Sequence, residues 1–83
     1  MIINYEDWKV EIKSSLIIFE KNAKLREYDL PKWKNVEHKD EYIFITLKDD
    51  SLIQFKMEFE DFLIGDLFDE EGEHLDSIAC YQF

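Results

Sequence analysis

Cysteine, proline and arginine each occur once in the 83 residues, as Cys80, Pro31 and Arg26, and glycine occurs twice, as Gly65 and Gly72. Each scarcity excludes something. A single cysteine cannot build an internal disulfide framework, which fits a reducing compartment. A single arginine leaves little capacity for bidentate phosphate recognition. Two glycines leave few of the tight turns on which active sites are built, and they form no phosphate-binding loop. There is no helix motif with paired His and Glu and no nucleophile elbow, so the chain reads as a non-enzyme. His38, His74 and Cys80 lack paired zinc-ligand spacing. A calcium loop with Gly72 at its sixth position would start at Leu67 and end at Ile78, neither of which can ligate. No cofactor and no metal are expected.

Long apolar runs are also missing. No segment reaches the ~18 residues of a membrane span, and Met1 to Asp7 has neither the basic start nor the apolar stretch of an ordinary secretory signal. The expected location is the cytoplasm.

What the chain has is aromatic mass and acid. Seven Phe, four Tyr and two Trp give a short chain large side chains to bury, each worth roughly 150 to 250 Å². Together with 46% hydrophobic and 36% charged residues, they predict one folded domain over residues 1–83 rather than a disordered chain. The acid is unevenly placed. Residues 1–39 carry eight basic and seven acidic side chains, whereas residues 40–83 carry thirteen acids against Lys48 and Lys56, which makes +1 and −11 of the total −10. Such a field favours cationic partners and repels nucleic acid and anionic membranes.

The N-terminal third has two competing periodicities. Tyr5, Trp8, Ile12, Leu16, Phe19 and Ala23 recur at steps of three and four and fall within about 80° on a helix. Asn4 stands where an N-cap would, Glu6 and Asp7 suit the first turn, and Pro31 forces an end. This predicts a helix over about 5–28. The rival is a pair of strands: Trp8, Val10 and Ile12 alternate, Ser14 and Ser15 could turn, and Leu16 to Phe19 could return. Residues 29–41 show no period and read as a loop.

From about residue 42 to 83 the period is two. Tyr42 to Leu47, the alternation Ile53, Phe55, Met57 and Phe59, the run Phe62 to Phe68, and Leu75 to Phe83 read as four strands of an antiparallel meander. Asp49-Asp50-Ser51 and Asp69 to Glu73 serve as turns. Gly65 inside the third run signals a bulge or a close approach. The junction at Phe59 to Phe62 has no Gly, Pro or Asn, so a helix over residues 55–67 competes there. The expected fold is α+β, with one long N-terminal helix packed on a four-stranded antiparallel β-meander.

In a meander, alternate turns emerge at one end. Asp49, Asp50, Asp69, Glu70, Glu71 and Glu73 are therefore expected together, with Asp66 and Asp76 on the sheet between the ends. Solvated turns explain acids too, but their one-sided distribution points to a surface for a basic partner. Trp33, between Lys32 and Lys34, either covers the core or anchors an interface. Val10, Ile17 and Tyr28 would form a second apolar face on the predicted helix, suited to a homodimer seam. The expected function is a non-enzymatic acidic inhibitor that blocks a nuclease toxin or a nucleic-acid-binding effector, as immunity proteins and anti-CRISPR-like proteins do. The alternative is a small self-associating adaptor that uses the helix's second face.

Overall fold

A computed structural model describes all 83 residues and contains no helix. Nine strands follow one another: β1 (Ile2–Tyr5), β2 (Trp8–Ile12), β3 (Leu16–Lys21), β4 (Lys24–Asp29), β5 (Trp33–Lys39), β6 (Tyr42–Leu47), β7 (Leu52–Met57), β8 (Phe62–Phe68) and β9 (His74–Gln82). Every neighbouring pair is antiparallel. They form a four-stranded sheet, β1-β2-β3-β4, and a five-stranded sheet, β5-β6-β7-β8-β9. One core of sixteen buried side chains draws on both sheets, so the architecture is all-β with two stacked layers.

The predicted helix over 5–28 is overturned by β1 to β4; the rival pair of strands, Trp8 to Ile12 and Leu16 to Phe19, matches β2 and β3, while β1 and β4 lie outside that reading. The physical reason is composition. Ile2, Ile3, Val10, Ile12, Ile17 and Ile18 are β-branched and suit a pleated surface better than a helix. The helical stripe was a coincidence of two strand phases joined by short turns. Trp8, Val10 and Ile12 point inward, as do Ile17, Phe19 and Lys21, whereas Leu16 is half-exposed and Ala23 lies in a turn. The second apolar helix face disappears with the helix: Val10 and Ile17 are fully buried core residues, and Tyr28 packs its ring against Phe55.

Residues 29–41 are not simply a loop either. They contain β5, whose outer positions Lys34, Asn35, Glu37 and Lys39 are polar, as suits an edge strand guarded against further pairing. The four C-terminal runs are β6 to β9, and β5 adds a fifth strand to their sheet. Residues 55–67 are two strands and a turn, not a helix.

The turns use aspartate where glycine is scarce. Leu47 N–H donates to Ser51 O, Glu58 N–H to Phe62 O and Asp69 N–H to Glu73 O, each at 2.8 Å, so three hairpins share one three-residue loop form. Their last loop residues, Asp50, Asp61 and Gly72, have φ of 70°, 65° and 86°, the left-handed position this loop requires. Asp tolerates it better than most side chains. Asp61 therefore does between β7 and β8 what Gly72 does between β8 and β9, and this is the turn signal missing at residues 59–62.

The β3–β4 hairpin has only Asn22 and Ala23 between its paired ends, Lys21 and Lys24, with φ of 53° and 61°. That is the pattern for which Asn-Gly is preferred, and alanine there carries about 1–2 kcal/mol of left-handed strain. Ala23→Gly should stabilise the protein by about 1 kcal/mol and raise the melting temperature by about 4–8 °C. Unchanged or lower thermal melts would show that the strain is not released.

Gly65 leaves room for an aromatic ring. A Cβ at Gly65 would lie 2.8 and 2.9 Å from two ring carbons of Phe55 and 3.1 Å from the Ala79 Cβ. Gly65 pairs directly with Phe55 on one side and Ala79 on the other, so two small residues frame the ring. From the opposite sheet, Phe19 approaches that ring at 4.9 Å between centroids.

Candidate functional site

Alternate turns of the meander gather at opposite ends. The connections β2–β3, β4–β5, β6–β7 and β8–β9 share one end, where Trp33 Nε1 donates to Lys13 O and Lys48 N–H to Lys32 O, both at 3.0 Å. The other end holds the β1–β2, β3–β4, β5–β6 and β7–β8 turns. There Lys21 and Asp61 join the two sheets at 2.8 Å, and Tyr5 meets His38 edge-on at 5.8 Å.

At the first end the two layers part around a recess of about 690 Å³, within the range of pockets that hold ligands. Its apolar lining is Tyr28 from β4, Leu47 and Ile53 from β6 and β7, Leu67 from β8, and Leu75 and Ile78 from β9. Asp29, Asp49, Asp69, Glu70 and Glu71 line it as well, with Pro31 and Ser51, and no Lys or Arg does. An apolar floor under carboxylates of one sign favours a ligand that is both apolar and cationic.

Two of these carboxylates are held by hydrogen bonds. Asp49 accepts from the Ser51 hydroxyl and, at 3.0 Å, from the Ser51 N–H, and those bonds hold its carboxyl below the usual carboxylate range. Asp69 accepts from the N–H groups of Glu71 and Glu73 at 2.9 and 2.8 Å. Glu70 and Glu71 are exposed. Burial, followed by neighbouring Tyr81 and Asp76, raises the Tyr28 phenol above its ordinary value.

The sequence-predicted residues are thus sorted by the fold. Asp49, Asp69, Glu70 and Glu71 meet at the recess. Asp50 reaches the same end but pairs with Lys34. Glu73 closes the β8–β9 turn and does not line the recess. Asp76 is exposed on β9, near enough to Tyr28 to act on its phenol. Asp66 lies on the outer face, bonded to His74 Nε2 at 3.0 Å and Ser77 Oγ at 3.1 Å. Trp33 is half-buried and packs against the core, so its ring closes the end of the sandwich.

The trio of Asp66, His74 and Ser77 has the residue types of a hydrolytic triad but not its geometry. The same His74 nitrogen, Nε2, faces both Asp66 and Ser77, the latter at 3.5 Å. One nitrogen cannot donate to the acid while accepting from the hydroxyl. His74 and Cys80 both lie on β9 but roughly 20 Å apart along an extended strand, too far to act as a catalytic pair.

Sequence reasoning missed Asp29 and Leu75. Asp29 opens the predicted loop over residues 29–41, whereas β4 carries it to the recess. Leu75 falls in a predicted strand whose pattern sets no facing direction for it, yet it lines the recess while 57% exposed.

Asp61, at the other end, has its carboxyl held below the usual value near 3.8, chiefly by the hydrogen bond from Lys21. A carboxyl lowered in the folded state adds stability that is complete above the unfolded value and is lost as pH falls through the folded one. Asp61→Asn should therefore lower the urea midpoint at pH 7 and flatten its decline below about pH 4. An acid limb as steep as that of the unaltered protein would rule Asp61 out as a source. No family model matches the chain, and neither does any curated protein or solved structure.

Proposed function

We propose that the protein is a non-enzymatic inhibitor that binds a basic protein, a nuclease toxin or nucleic-acid-binding effector, through the acidic-rimmed recess. What supports this reading is the recess itself: five carboxylates and no basic side chain line an apolar floor. Opposite fields would speed encounter, and the apolar floor would lengthen residence. The cytoplasm is the proposed location, where the exposed, unpaired Cys80 would stay reduced.

The test reverses exposed charge without removing the side-chain hydrogen bonds that hold the turns. Asp29, Glu70, Glu71 and Glu73 accept no side-chain hydrogen bond and make no ion pair, whereas Asp49 and Asp69 hold their turns together. Changing those four to Lys should leave the fold intact and cut the association rate with a captured nuclease partner by about 10–10³-fold at low salt. Association of the unaltered protein should slow steeply as salt rises, and the partner's nuclease activity should fall on binding. A reversed variant that binds and inhibits as well as the original would remove the proposal.

A further inference from the structure

The recess is more specific than a patch of negative charge. Its floor is apolar on all sides, from Tyr28 on β4 to Leu67 and Ile78 on β8 and β9, and Leu75 leaves an apolar lip open to solvent. At about 690 Å³ it exceeds what one lysine or arginine side chain fills. Water gains little from such a floor, because few polar groups there can hold it. The carboxylates sit at its edge, on the β6–β7 and β8–β9 turns and at the end of β4.

We propose that the recess takes a short segment of the partner in which one large apolar side chain is flanked by lysine or arginine. The apolar side chain would cover Leu67, Ile78 and the Leu75 lip. The flanking cations would reach Asp49, Asp69 and Glu70, and their aliphatic stems would lie along the walls. Charge complementarity selects this occupant over a second copy of the chain, which carries the same −10 and would bring its own acidic end to the contact. The inference rests on the proposed binding of a basic protein and names the part of that protein that is bound.

The test uses three blocked tripeptides, Lys-Phe-Lys, Lys-Ser-Lys and Glu-Phe-Glu, together with hexylammonium, each titrated against the methyl resonances of Leu47, Ile53, Leu67, Leu75 and Ile78. Lys-Phe-Lys should shift these methyls and saturate, and the other two should bind at least about tenfold more weakly, since each lacks one half of the match. Leu75→Gln, on an exposed residue, should weaken Lys-Phe-Lys by about tenfold with no loss of melting temperature. Equal binding of Lys-Ser-Lys would overturn the proposal and leave charge alone as the attraction, with partner capture by the acidic end still standing. Equal binding of hexylammonium would assign the recess to small organic cations, and methyl shifts that depend on protein concentration alone would assign it to a second copy. Either result overturns the proposal, as does the absence of any binding. Loss of partner capture in the charge-reversed variant is read separately, so the two failures are distinguishable.

Discussion

Phe55→Ala should destabilise the protein by about 3–5 kcal/mol, a large share of the stability of a domain of this size. Phe55 has no solvent exposure. Its ring is the point at which the sheets interlock, 4.9 Å from the Phe19 ring and 5.9 Å from the Tyr28 ring of the opposite layer. Its own sheet is shaped around it, with Gly65 and Ala79 leaving space on the neighbouring strands. Truncation therefore opens a cavity that neither neighbour can fill. The same geometry makes Gly65→Ala costly by overpacking, by about 1–3 kcal/mol. The two sites touch, so their effects should not add: Phe55→Leu combined with Gly65→Ala should cost at least about 0.5 kcal/mol less than the sum of the single changes. Urea denaturation of the four proteins measures this. Strict additivity would show that the glycine does not serve the ring.

Trp8→Ala is the second large effect, again about 3–5 kcal/mol. Trp8 is 2% exposed, meets Phe83 edge-on at 4.9 Å, and lies under the Lys21 ammonium at 4.9 Å from the ring centre. Lys21 is itself buried, and Asp61 of the other sheet is its ionic partner. Removing the indole takes away the apolar contact and also one of the two groups that stabilise a buried cation. Trp8→Phe keeps a ring in place and should cost clearly less. A Trp8→Ala protein with an unchanged urea midpoint would contradict this account of the Lys21 clamp.

These two positions also show how much of the structure could be read from the chain. Phe55 sits in a clean alternation, Ile53, Phe55 and Met57, and its inward direction follows from the period alone. Gly65, in an apolar run, already signalled a close approach. Trp8 belonged to two patterns at once: the three-and-four spacing from Tyr5 to Ala23, and the alternation with Val10 and Ile12. Both patterns bury Trp8, so its burial did not decide between helix and strands. The short turns at Glu6-Asp7 and Asn22-Ala23 gave little signal of the strands, because Glu6 and Ala23 adopt positive φ without being Gly, Asn or Asp.

The candidate site was legible to a similar degree. The sharing of one end by Asp49, Asp69, Glu70 and Glu71 depends only on hairpin order within the C-terminal half, which the period and the turns encode locally. The recess between them was not legible. It exists because the other layer is a sheet that ends in β4, bringing Tyr28 and Asp29 to the mouth. Nor did the sequence show that Lys34 would pair with Asp50, since β5 lacks the apolar alternation that marks a strand.

By itself, then, the sequence determined a small domain rich in aromatics, an acidic C-terminal half, four of its strands and the end at which their turns collect. These follow from composition and from contacts between neighbours in the chain. The second sheet, the recess and the division of the acids into paired and free were decided only by tertiary structure. A meander with one apolar face must be covered, and either a helix or a sheet can cover it. Which one does depends on packing across the core, where Phe19, Tyr28 and Phe55 meet.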